Sequence, residues 1–249
     1  MRHDNRTPEQ LRDFSFERDY TKYALGSVLV TFGNTKVLCT ASMEDNIPHW
    51  MKNSNKGWVT AEYSMLPGSS PQRVTREAAK GKQSGRTQEI QRLIGRSLRG
   101  VVDLSLMPGI SITLDCDVLQ ADGGTRTASI TGCYVALHDC FTRLLQAGIL
   151  SSMPLTEQCA ALSVGIVEGI VVADLDYIED STAQVDMNVV MSGDRFVEVQ
   201  GTAEGMAFSK GELDDLLDIA TLGIKEVMLL QNEVLSISPE PRVIKNPFE

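Results

Sequence analysis

The sequence predicts an α+β fold built from two successive β–α halves. Three observations carry that reading. Strand–turn–strand patterns occur in both halves, each half closes on a long helix with an apolar stripe, and 249 residues suffice for one large core made of two fused units. Hydrophobic content of 42% and charged content of 22% fall in the ordinary globular range, so burial can drive folding.

In chain order, the first element is a hairpin within residues 24–43. Residues 27–32 and 36–40 are β-rich, and Gly33-Asn34-Thr35 makes the turn. Residues 44–72 hold Pro48, Gly57, Pro67, Gly68 and Pro71 and read as loop. A helix over 89–101 follows from Ile90, Leu93, Ile94, Leu98 and Val101 at helical spacing, with Arg92, Arg96 and Arg99 on another face. Residues 111–119 alternate Ile112, Leu114, Cys116 and Val118 with polar neighbours, a strand. A helix over 127–146 has an apolar stripe from Ile130 to Leu145, and Gly148 stops it.

The second half repeats the grammar. Residues 161–167 and 170–175 pair across Glu168-Gly169. Residues 184–191 and 196–200 pair across 192–195. Ser209 and Glu212 form a capping box opening a helix over 210–234. The expected organisation is one domain, 1–235, with halves at about 10–148 and 157–235. Residues 236–249, with Pro239, Pro241 and Pro247, read as a loose tail.

No run of about 18 apolar residues is present to cross a membrane, and the N-terminus lacks the apolar stretch of a signal peptide. Five scattered cysteines without a C-x-x-C suit a reduced, cytoplasmic setting, and Cys39, Cys116, Cys133 and Cys140, in apolar or alternating patterns, read as small buried hydrophobes. The three histidines have no zinc spacing. Net charge is −10, yet residues 73–99 carry eight basic and two acidic side chains. That window bears +6 within a chain otherwise at −16, which points to a localised anionic ligand or a solvated basic face.

Three constellations carry chemistry. Asp122-Gly123-Gly124-Thr125-Arg126-Thr127 lies between a strand and a helix. It reads either as a structural turn with a threonine cap or as an oxyanion site. Arginine at a helix start opposes the dipole, and a bound anion offsets that cost, which favours the second reading. Gly81-Lys82-Gln83-Ser84-Gly85-Arg86-Thr87 resembles a phosphate cradle but lacks P-loop order. Asp174, Asp176, Glu179, Asp180 and Asp186 form an acidic group, either a solvated turn or a seat for Mg²⁺ or Mn²⁺ beside phosphate.

Several stretches together resemble the ribonuclease PH family: residues 32–41, 76–82, 89–94 and 114–127, then Tyr177-Ile178-Glu179-Asp180-Ser181 with Asp186-Met187-Asn188-Val189-Val190, and Val199-Gln200-Gly201-Thr202-Ala203-Glu204-Gly205. The resemblance spans about residues 10–235 and is nearest to the bacterial single-domain enzyme. It implies a pseudo-duplicated fold of β–α halves, with mixed sheets packed on helices, assembled as a homohexamer (a trimer of dimers). It also implies a phosphorolytic 3′-to-5′ exoribonuclease acting on tRNA precursors, with a part in ribosomal RNA turnover. Inorganic phosphate is the co-substrate, and nucleoside 5′-diphosphates are released. The family's phosphate site maps onto Arg86, Gly124, Thr125 and Arg126, with Arg126 also catalytic. Its catalytic and metal-associated carboxylates map onto Asp180 and Asp186, expected to take Mg²⁺ or Mn²⁺. Asp180 as general acid is the alternative. Arg73, Arg76, Arg92, Arg96 and Arg99 are expected to steer RNA. The family often has arginine after Met-Leu-Pro; Gly68 stands there, removing one interface or RNA contact. Two other readings are a catalytically silent RNA-binding ring subunit and a small-molecule kinase or phosphatase.

Overall fold

The computed structural model describes residues 2–44, 46–205 and 207–244. The first half contains β1 (Phe14–Arg18), β2 (Gly26–Phe32), β3 (Thr35–Glu44), β4 (Trp58–Met65), α1 (Glu77–Lys80), α2 (Gly85–Arg99), β5 (Ser111–Gln120) and α3 (Thr125–Gln146). Its sheet runs β1-β2-β3-β5-β4. The β4–β5 pair is parallel and the others antiparallel, so this sheet is mixed. A parallel pair needs a long crossover, and α1 and α2 lie within it.

The second half contains β6 (Cys159–Val167), β7 (Ile170–Ala173), α4 (Tyr177–Thr182), β8 (Val185–Ser192), β9 (Arg195–Ala203) and α5 (Lys210–Leu235). Its sheet runs β7-β6-β8-β9. Here the expectation of mixed sheets gives way to a wholly antiparallel one. Short turns dictate this. Glu168 and Gly169 both take positive φ, the geometry of a two-residue hairpin turn.

Helix α3 is the centre of the molecule. It packs on β2 and β3 on one side and on β6 on the other. Burial therefore extends beyond the expected stripe to Ala128, Thr131, Val135, Ala136, Asp139 and Arg143. A one-sided stripe suits a surface helix, whereas α3 serves two sheets. Cys39, Cys116, Cys133 and Cys140 are buried, as expected, and so is Cys159.

Three segments differ from the sequence reading. Strand β4 occupies part of the expected 44–72 loop, with Val59, Ala61 and Tyr63 inward. Strand β1 was unmarked by any strong pattern. The tail is also docked over 236–244. Pro239 is buried, Arg143 donates to the Glu240 carbonyl at 2.9 Å, and Arg242 pairs with Asp19 at 2.7 Å. Residues 245–249 of that tail lie outside the described residues.

Candidate active site

The turn from β5 into α3 is held from beneath. Arg12 donates to the Asp122 carbonyl at 2.6 Å, and Thr35 Oγ1 donates to the Gly123 carbonyl at 2.6 Å. Gly123 and Gly124 have φ of +76° and +67°, the left-handed region that favours glycine. A Cβ on Gly123 would lie 2.5 Å from the Leu175 carbonyl oxygen, so the turn also requires the missing side chain. Gly124 caps α3 without a side-chain hydrogen bond. The first-turn N–H groups therefore face the space ahead of the helix, with the positive dipole end behind them. Tyr63 hydroxyl and Thr125 Oγ1 are 2.9 Å apart, which fixes the threonine.

That space is a cleft of about 600 Å³. Gly124, Thr125 and Arg126 form one wall, and Arg86, from the first turn of α2, joins them. Asp180 on α4 and Asp186 on β8 line the same cleft, as does Arg73. The two arginines of one half thus meet the two carboxylates of the other.

Burial raises the Asp180 pKa, and the charges of Arg126 and Arg86 oppose that rise. Asp186 is pushed up to about 6, first by burial and then by Asp180, against the same two arginines. Among the described residues neither carboxylate makes a salt bridge. Two carboxylates whose ionisation is opposed by burial, one of them also by the other's charge, fit a divalent cation, which would relieve both.

The other three acids are scaffolding. Asp174 takes Arg12 at 2.7 Å, and Glu179 takes Arg2 at 2.6 Å and Arg6 at 3.2 Å. Asp176 caps α4 in a capping box with Glu179. His3, Asp4 and Asp176 cluster nearby, but the Arg6 guanidinium already serves both carboxylates. The N-terminal arginines hold α4, and α4 presents Asp180.

The basic residues divide by location. Arg76 and Lys82 line a neighbouring cavity with Glu62, Asp115 and Asp117. Arg92 is exposed, and Arg96 pairs with Glu198 at 3.1 Å. Arg99, expected to steer RNA, is engaged with β4. Its guanidinium lies 4.3 Å over the Trp58 ring and donates to the Val59 carbonyl at 2.8 Å. The last turn of α2 rests on β4, which leaves that arginine half-buried.

Ser163, Tyr177 and Asn188 also line the cleft and were given no role from sequence, while Tyr63, which holds Thr125, lines the neighbouring cavity. Asn188 was accessible from the period of two, since it shares a strand face with Asp186. Ser163 is buried opposite Asn188, and its hydroxyl has no hydrogen-bond partner among the described residues. Nothing local in sequence signals that placement.

Residues 10–166 match the 3′ exoribonuclease family, domain 1, and residues 158–223 match its domain 2. Rice (Oryza sativa) Rrp46 superposes with TM-score 0.74 at 19% identity, covering 94% of this chain and 100% of the other. The Archaeoglobus fulgidus exosome with RNA bound to the active site gives TM-score 0.78 at 21% identity, covering 92% and 91%. An archaeal exosome core gives 0.73 at 19%, covering 92% and 89%. At these identities the likeness is one of fold.

Proposed function

Since the chain belongs to the 3′ exoribonuclease family, we propose that it is a phosphorolytic 3′-to-5′ exoribonuclease of the ribonuclease PH type that trims tRNA precursors and other RNA 3′ ends in the cytoplasm. The observation that carries this reading is one cleft holding Arg86, the Gly124-Thr125-Arg126 helix start, Asp180 and Asp186. The RNA at the active site of the archaeal exosome supports an RNA 3′ end as the second ligand.

Phosphorolysis brings two anions together in line, so the site must cancel charge and fix orientation. The α3 N–H groups, Thr125 hydroxyl, Arg86 and Arg126 hold inorganic phosphate. Its oxygen forms a bond to the phosphorus of the terminal nucleotide, and the bond to the preceding 3′-oxygen breaks. The products are a nucleoside 5′-diphosphate and an RNA shortened by one residue. The reverse reaction adds a nucleotide from its diphosphate. Asp180 and Asp186 would hold Mg²⁺ or Mn²⁺, which when bound supplies charge neutralisation at the phosphoryl oxygens. Asp180, with its raised pKa, can alternatively deliver a proton to the leaving 3′-oxygen. Arg73, Arg76, Arg92 and Arg96 guide the RNA backbone towards the cleft.

The test is incubation with a tRNA bearing extra 3′ nucleotides, with and without phosphate. Phosphate-dependent release of nucleoside diphosphates is expected. Monophosphate release without phosphate contradicts the mechanism. No release at all favours the alternative of a catalytically silent RNA-binding ring subunit. Assembly as a homohexamer, a trimer of dimers, is part of the proposal, and a monomeric mass in solution would refute it.

A further inference from the structure

Gln200 lies on β9 directly opposite Asn188, which in turn lies opposite Ser163 on β6. Residues paired in register share a sheet face, so the Gln200 side chain emerges on the side that lines the cleft. Its amide makes two directional contacts. Oε1 accepts from Arg126 Nη1 at 2.8 Å, and Nε2 donates to Glu89 Oε1 at 2.5 Å. A flipped amide would set its NH₂ against the guanidinium and its carbonyl against the carboxylate, so both partners select the same orientation.

The bridge joins three elements. Glu89 lies on α2, three residues after Arg86, and Arg126 lies in the first turn of α3. The α3 dipole repels Arg126, and Glu89 itself stands 3.9 Å from that guanidinium. Gln200 therefore supplies the directional contact that keeps the arginine at the cleft wall.

We propose that Gln200 is a positioning residue for phosphate binding, which bridges Arg126 to Glu89 and so fixes the two arginine-bearing helix starts relative to one another. The proposal rests on the phosphorolytic reading above and deepens it.

The experiment measures nucleoside diphosphate release from an RNA oligonucleotide against phosphate concentration, for the unaltered chain, Gln200→Leu, Glu89→Leu and Glu89→Gln. Loss of one charge-assisted, orienting hydrogen bond should raise the KM for phosphate about tenfold in Gln200→Leu and Glu89→Leu. The KM for RNA should stay within about twofold. Glu89→Gln still offers an oxygen to the Gln200 amide and should keep most of the phosphate affinity. An unchanged phosphate KM in Gln200→Leu, with only a lower Tm, would overturn the proposal. Equal weakening in Glu89→Gln and Glu89→Leu would also overturn it, because charge alone would then account for the effect. Should Gln200→Leu fail to fold, the isosteric Gln200→Glu sets a second carboxylate against Glu89 and should raise the phosphate KM; no change there counts against the bridge. Should the unaltered chain release no diphosphate, the functional reading fails by itself. Calorimetric titration with inorganic phosphate then decides the bridge: about tenfold weaker binding in Gln200→Leu supports it, and equal affinity overturns it.

Discussion

Helices α3 and α5 close the two halves in matching places, yet their first turns are built on opposite plans. Ser209 and Glu212 cap α5 reciprocally, so two of its leading N–H groups, those of Ser209 and Glu212, are satisfied by the helix's own side chains. The α3 start has a left-handed glycine in place of a capping side chain and carries Arg126 in its first turn. The basic charge lies where the dipole resists it. The first arrangement gains stability from its own atoms, whereas the second keeps its donors free for an anion. The duplication thus supplied two similar helices, and one was left open to become a wall of the cleft.

The comparison breaks most severely at Arg126. Arg126→Ala should lower phosphate-dependent turnover by about a thousandfold, as removal of a preorganised cation from a phosphoryl-transfer site does. RNA affinity should hold within a few-fold, because other basic residues contact the polymer. A variant retaining a tenth of the parental turnover would mean that the open helix start is not where the chemistry lies.

Asp186 tests the opposite wall. Asp186→Asn should reduce divalent-cation-dependent turnover by about a hundredfold. Its pH behaviour gives a second readout. The folded pKa of about 6 lies above the ordinary 3.8, so the folded chain holds this proton more tightly than the unfolded chain. Stability contributed by the protonated group is present below about pH 4 and lost as pH rises towards 6. Without divalent cation, Asp186→Asn should therefore match its parent in acid and exceed it by about 1 kcal/mol above pH 6, after allowance for solvent screening. Thermal unfolding across pH 4–8 measures that gap, and a constant gap would remove the desolvation argument.

Ser209→Ala addresses the closed helix. It should lower stability by about 1 kcal/mol, the usual cost of losing such a cap. The phosphate KM should not move. A change in that KM would show that the two helix starts are coupled, and the contrast between them would lose its force.

How much of this was legible depended on whether a signal was local. The alternation in β5 and the capping box of α5 announced themselves, since each rests on contacts a few residues apart. The alternation of β4 was present at Val59, Ala61 and Tyr63 but was obscured by flanking glycine and proline. The Gly123-Gly124 turn could be read as an anion site because glycine, helix start and arginine are adjacent. Its meeting with Asp180 and Asp186 could not, because it depends on how the second half's sheet brings α4 and β8 to the cleft at the start of α3. The acidic cluster divides for the same reason. Arg2, Arg6 and Arg12 reach across more than 150 residues to neutralise Asp174 and Glu179, and no local pattern foretells that. The docked tail likewise owes its order to distant partners, Arg143 and Asp19.

The smallest effect separates two arginines on one helix. Arg92 is exposed, while Arg99 lies over Trp58. If Arg92 meets an RNA phosphate, Arg92→Ala should weaken RNA binding about threefold at moderate salt and reduce the salt slope by about one. Arg99→Ala should leave both unchanged and lower stability by about 1 kcal/mol, through loss of the cation–π contact and its packing. Fluorescence anisotropy of a labelled RNA across a salt series, paired with thermal unfolding, reads both quantities on each variant. Equal loss of RNA affinity in the two would place Arg99 back among the RNA contacts and make the stacked geometry a resting position that RNA displaces. Loss of stability in Arg99→Ala alone would assign the last turn of α2 to holding β4 in place, and with it the Tyr63 that steadies Thr125.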